Sequence, residues 1–231
     1  MRRLHALRAT IRAIERGGLE PTCGGIPTGH PVLDGSLPRG GLPAPAVHEV
    51  SGAAADGFAA AFASRIIASG APLLVWCADE ARAKRCGSLH GPGFARFGIG
   101  PERLLLVACR GAEEVLAACE EALRAPAGLV VVAELDHLDL GPGRRLQLAA
   151  EAGGSVGFCL VARIRGPNPA FCRFRVEPGI RDGRRCWRVD LWRVRGGTPC
   201  EAEIVWDDEA LAFAPLSGLS RPETASERAI S

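Results

Sequence analysis

The chain has 231 residues, 47% of them hydrophobic, which is enough for one α/β domain with small appendages. Its net charge of +2 excludes a global polyelectrolyte, so any contact with nucleic acid must rest on local clusters. Nine cysteines without a C-x-x-C pair and no apolar run near ~18 residues indicate a reduced, soluble cytoplasmic protein without a zinc site or membrane span.

The basic N-terminus lacks an apolar signal core. Instead, Leu4, Leu7, Ile11 and Ile14 recur at helical spacing, with arginines on the other faces, and Gly17-Gly18 closes the segment. This predicts an amphipathic helix within residues 1–18, either docked on the domain or free to pack on a partner. A core domain is expected over 19–214. It opens with a Pro- and Gly-rich stretch to residue 44, broken by one short helix over 32–37.

A strand at 45–50 then runs into a glycine loop and a helix over 58–69, ended by Gly70. Apolar runs at 73–77, 104–108, 129–133 and 156–161 predict strands, with helices at 112–124 and 143–152 between them. Near-continuous apolar strands separated by helices indicate a parallel sheet covered on both faces. Past residue 170 the period changes to two. Strands at 172–176, 186–194 and 201–206, with turns at Pro178-Gly179, Asp182-Gly183 and Gly196-Gly197, predict an antiparallel extension at the sheet edge. The polar stretch 215–231 is expected to be a disordered tail.

The glycine loop carries the most chemical information. Gly52 and Gly57 have the spacing of a phosphate-binding loop, in which backbone N–H groups cradle phosphates, a Lys reaches the β/γ-phosphates and a Ser/Thr holds Mg²⁺. Phe58 occupies the Lys position and Ala59 the hydroxyl position. The turn is retained while the charge and the metal ligand are gone, so no cofactor is expected and ATP binding is doubtful.

Ile26-Pro27-Thr28-Gly29, Leu33-Asp34, Gly40-Gly41-Leu42 and His48-Glu49-Val50-Ser51-Gly52, in that order, resemble the entry into the ATPase core of RecA recombinases. A closer resemblance is to the ImuA family. It is carried by the His48–Gly52 segment, by Leu138-Asp139-Leu140 with Arg144-Arg145-Leu146-Gln147, and by Trp187-Arg188-Val189 and Arg193-Val194-Arg195. The resemblance implies a RecA-like phosphate-loop core and a role in SOS mutagenesis and translesion synthesis. It implies partnership with ImuB, a catalytically inert relative of Y-family polymerases, and with RecA and an error-prone replicative-type polymerase, and nucleoid association after DNA damage.

Within that resemblance, Glu80 aligns with the water-activating carboxylate of RecA. The alternative, a solvated strand end, is favoured because Phe58 cannot hold a γ-phosphate. Ala133 aligns with the Mg²⁺-linked Asp, with Glu134 beside it, and Val161-Ala162-Arg163 lacks the family's sensing Gln. The spans corresponding to RecA's two DNA-binding loops, 138–143 and 166–170, are short. Losing one preorganised charge stabiliser costs on the order of 10²–10³ in rate. Several are absent together, so no catalytic residue is assigned and the chain is expected not to hydrolyse ATP. Two further readings remain: a RecA-fold cell-division inhibitor similar to SulA, and an atypical RecA-like ATP-binding repair protein.

Ten arginines, Arg163, Arg165, Arg173, Arg175, Arg181, Arg184, Arg185, Arg188, Arg193 and Arg195, face three acids over the same span. With Phe171, Phe174, Trp187 and Trp192 interleaved, they form a candidate surface for weak DNA binding or for an acidic partner. The competing expectation is that strand alternation buries the aromatics and leaves the arginines on an exposed face.

Overall fold

A computed structural model describes residues 25–181 and 183–215. The predicted helix bearing Leu4, Leu7, Ile11 and Ile14, the residues after 215, Asp182 and the side chain of Arg184 lie outside the described residues. The elements are α1 (Pro31–Ser36), β1 (Ala46–Ser51), α2 (Ala55–Ala68), β2 (Leu74–Asp79), α3 (Glu80–Cys86), α4 (Gly91–Ala95), β3 (Leu104–Cys109) and α5 (Ala112–Arg124). They continue with β4 (Val130–Leu135), α6 (Leu140–Gly153), β5 (Val156–Val161), β6 (Cys172–Arg181), β7 (Arg184–Val194), β8 (Cys200–Asp207) and β9 (Ala212–Pro215).

These strands form one mixed sheet in the order β3-β2-β4-β5-β1-β6-β7-β8-β9. Pairings from β3 through β6 are parallel and those from β6 to β9 antiparallel. Strands β1, β4 and β5 are buried at every position, as their apolar runs require. One face packs under α2, where Phe58, Phe62, Trp76, Phe158 and Phe174 share a core. The other packs under α5 and α6 through Val75, Cys77, Cys119, Leu123 and Leu146.

The structure departs from the sequence-based expectation in four places, the simplest being β9 over Ala212–Pro215, which no predicted element covers. Strand β3 is not covered on both faces: Leu105 and Leu106 are 49% and 45% exposed. It is the edge strand, paired on one side only with β2. Pro178-Gly179 is no turn: both residues lie inside β6, and the chain reverses at Gly183, whose φ is +73°. Helices α3 and α4 have no counterpart among the predicted elements. Helix α3 is set by Asp79, whose carboxylate accepts from the N–H groups of Ala81 and Arg82, both at 3.2 Å, and by Gly87 at its end with φ +92°. Among the described residues no helix is long and apolar enough to cross a membrane.

Candidate functional site

The loop after β1 opens onto a crevice of about 350 Å³ lined by Gly52, Ala53, Asp79, Arg82, Glu134 and Leu160, at the carboxyl ends of the parallel strands. Open α/β sheets place ligand sites in this position.

Gly52 has φ +101°, and a Cβ there would lie 2.2 Å from the Val176 carbonyl oxygen, so only glycine fits. The loop lies against β6, with Gly52 and Ala53 still exposed. Ala54 N–H donates to Val176 O at 3.1 Å, and Ala53 N–H donates to a Glu177 carboxylate oxygen at 3.4 Å. Ala55 N–H donates back to Gly52 O at 3.2 Å, and Phe58 N–H to Ala54 O at 3.1 Å. Four of the loop's N–H groups, those of Ala53, Ala54, Ala55 and Phe58, are therefore bonded to the protein itself, one of them to a carboxylate.

Phe58 is fully buried. Its ring packs edge-on against Phe62 at 4.9 Å, Phe174 at 5.3 Å and Trp187 at 6.0 Å, and tilted against Phe213 at 5.5 Å. Ala59 is equally buried, and a Cβ on Gly57 would sit 3.2 Å from the Trp187 ring. The positions that carry Lys and Ser/Thr in a working loop thus belong here to the aromatic core under the sheet.

Two residues that sequence reasoning missed, Arg82 and Asp56, meet the expected Glu134 at the crevice. Arg82, from α3, directs one terminal nitrogen to both Asp56 oxygens at 2.7 and 2.9 Å. Its other terminal nitrogen lies 3.5 Å from Glu134. Glu134 is buried at the end of β4 and accepts from Trp76 Nε1 at 2.9 Å and Asp79 N–H at 3.1 Å. The available signal was Asp56 itself, an acid set inside the glycine loop, with a basic segment following β2. Glu80 begins α3, half-buried, and lines an adjoining cavity of about 470 Å³ with Cys86, His90 and Leu106. It makes no hydrogen bond or ion pair among the described residues. No group of three or more His, Cys, Asp or Glu among them suits a metal ion.

Spans 138–143 and 166–170 meet. Asn168 donates to Leu138 O at 3.3 Å, and a Cβ on Gly143 would lie 2.7 Å from the Pro169 ring. Beside them, Arg163 Nε donates to Asp136 at 3.0 Å and holds that carboxyl below its ordinary range, while His137 sits between Asp136 and Asp139 at 3.2 Å each.

No protein-family model matches the chain. Among curated proteins, it is 36% identical over 200 residues to Protein ImuA of Caulobacter vibrioides strain NA1000, covering 74% of this chain and 79% of that protein. The chain belongs to the ImuA family. Protein ImuA of strain ATCC 19089 of the same species matches with the same figures.

This ImuA-family chain does not gather its ten arginines on one surface. Arg173 is 3% exposed and lies in a buried ion pair with Glu49, which removes it from any docking face. Arg163 and Arg165 are exposed in the segment that follows β5. Arg175, Arg181, Arg185 and Arg188 are exposed on β6 and β7, and Arg193 and Arg195 are half-buried there. Acids face several of them across the ladders: Asp190 is opposite Arg175, and Glu177 and Glu203 are opposite Arg188. Phe171 and Phe174 are buried, so alternation separates these aromatics from the exposed arginines.

Proposed function

We propose that this ImuA-family protein is a non-hydrolytic accessory scaffold of the SOS-induced translesion synthesis machinery. Its core is a RecA-like domain whose phosphate loop has been converted into a structural turn. It works in the cytoplasm and at the nucleoid after damage, engaging an inert Y-family polymerase relative of the ImuB type. RecA and an error-prone replicative-type polymerase are its further contacts. Membership in the ImuA family supports the mutagenesis role. The strand–glycine loop–helix order of β1, Gly52–Gly57 and α2 supports the RecA-like core.

One observation carries the loss of hydrolysis. Phe58 is sealed into the aromatic core, and the loop amides bond to Val176 and Glu177. A γ-phosphate would meet no lysine there and would have to displace a carboxylate. Arg82 already holds a cationic group between Asp56 and Glu134, at 2.7 and 3.5 Å, where those acids would otherwise attract Mg²⁺. Binding of partners through a rigid surface is the activity such a domain retains.

Co-purification of the full chain with an ImuB-type protein from the same organism, with and without Mg-ATP, tests the proposal. The same yield in both conditions is expected, together with loss of damage-induced mutation when the gene is deleted. No association, or association only with Mg-ATP, would overturn it.

A further inference from the structure

Strand β3 ends the sheet, and among the described residues its outer edge has no partner. Exposed leucines stand on both of its faces. Leu106 belongs to the face under α2, with Leu104 and Ala108, and walls the adjoining 470 Å³ cavity. Leu105 belongs to the opposite face, with Val107 and Cys109, which pack beneath α5 and α6. A helix docked on one face would leave the other open. A strand added to the edge covers both, and also satisfies the outward N–H and C=O groups of β3.

The protection that edge strands ordinarily carry is missing here. β3 reads Leu104-Leu105-Leu106-Val107-Ala108-Cys109, without charge, proline or bulge. By contrast β9, at the far end of the sheet, has four residues and ends at Pro215.

Opposite charges flank β3 at equal spacing. Glu102 stands four residues before Leu106 and Arg110 four residues after it, and both are exposed. Neither side chain forms a hydrogen bond or ion pair among the described residues. Residues directly opposite in an antiparallel ladder share one hydrogen-bonding direction, so two copies of β3 can pair only about a residue on the two-fold axis. With Leu106 on the axis, Leu104 meets Ala108 of the second copy and Leu105 meets Val107. Glu102 then falls beside Arg110 at both ends, and Arg103 falls opposite the uncharged Cys109. Moving the axis to Leu105 or Val107 loses both charge pairs. An in-register parallel pairing sets like charges together.

We propose that two copies of this chain associate through β3, antiparallel about Leu106, to make one continuous sheet. The interface is isologous and closes at two copies. It uses none of the loop crevice, so its failure would leave the proposed function standing.

Sedimentation equilibrium of the full-length chain tests it. The native protein should pass from monomer to dimer as its concentration rises through roughly 1–100 μM, the range of a small interface. Leu106→Lys, an exposed change that sets two ammonium groups against each other on the axis, should stay monomeric. Glu102→Arg and Arg110→Glu should each weaken association about tenfold, because both flanking pairs become like-charged. Mixing those two variants should restore it, since every Arg then meets a Glu of the other chain. A native chain still monomeric at about 100 μM, or a species larger than two copies, would overturn the proposal. So would a dimer that survives Leu106→Lys, or a mixture no more associated than its two components.

Discussion

Glu49 on β1 and Arg173 on β6 face each other across a parallel ladder and form a buried ion pair, Arg173 Nε donating to Glu49 at 2.7 Å. The remaining valences are filled. Asn168 donates to the second Glu49 oxygen, and the Arg173 terminal nitrogens donate to Gly166 O at 3.2 Å and Arg165 O at 3.0 Å. The guanidinium also lies 4.2 Å from the Trp192 ring centroid. Glu49 sits in the segment that leads to the glycine loop, yet its work is to fasten the 165–170 span to the sheet.

Breaking such a pair from one side leaves an uncompensated buried charge, which costs about 3–5 kcal/mol, whereas replacing both partners with apolar residues is far milder. Arg173→Met should therefore destabilise the fold by about that amount in urea unfolding, and Glu49→Leu with Arg173→Met by much less. A single variant costing under about 1 kcal/mol would show that the pair is hydrated rather than buried.

His48 gives a pH dependence. It is fully enclosed, its Nε2 donates to Pro43 O at 3.0 Å, and its Nδ1 has no partner. Burial pushes its pKa down to about 4, against a smaller opposing effect of the Pro43 hydrogen bond. The unfolded chain, with an ordinary histidine near 6.5, binds more protons between those values. Stability is therefore full above about pH 6.5 and falls as pH drops toward 4, by about 3 kcal/mol in all. Urea midpoints at pH 7 and 4.5 should fall less for His48→Gln than for the native chain. Equal falls would contradict the assignment.

The loop itself is testable through Gly52. Its positive φ and the 2.2 Å separation that an added Cβ would have from Val176 O make Gly52→Ala costly, about 2–4 kcal/mol. At roughly 2–4 °C per kcal/mol for a domain of this size, the melting temperature should drop by about 5–15 °C. Gly141→Ala, in α6 with nothing within 4 Å, should leave it unchanged or raise it slightly. Similar melting temperatures for both variants would mean that the loop is not held against β6.

Much of the parallel half was legible because its strands are apolar throughout. Helix α5 matches its expected span, and β5 does too. Strand β3 reads the same way as β4, since composition does not distinguish an edge strand from a central one. Pro178-Gly179 reads as a turn, but β6 runs through it, with the glycine opposite Cys186. That Phe58 stands at the Lys position of the glycine-loop spacing is visible in the sequence. The aromatic core around it is not. Arg82 reaches Asp56 and Glu134 only because Asp79 starts α3 at that point, a contact spanning three separate segments. Arg173 reads as one more surface arginine because alternation puts it on the face opposite Cys172 and Phe174. That face is covered there by Glu49 and the 165–170 span, contacts far away in sequence.

In the proposed function the Gly52–Gly57 turn serves no nucleotide. Isothermal calorimetry of the native chain with Mg-ATP tests this. Phe58→Lys is no gain-of-function control, because it would bury an unpaired ammonium in the aromatic core. No saturable heat is expected up to millimolar Mg-ATP. Saturable binding with a micromolar Kd would contradict it, and would mean that the backbone of the loop releases Glu177 and still cradles phosphate.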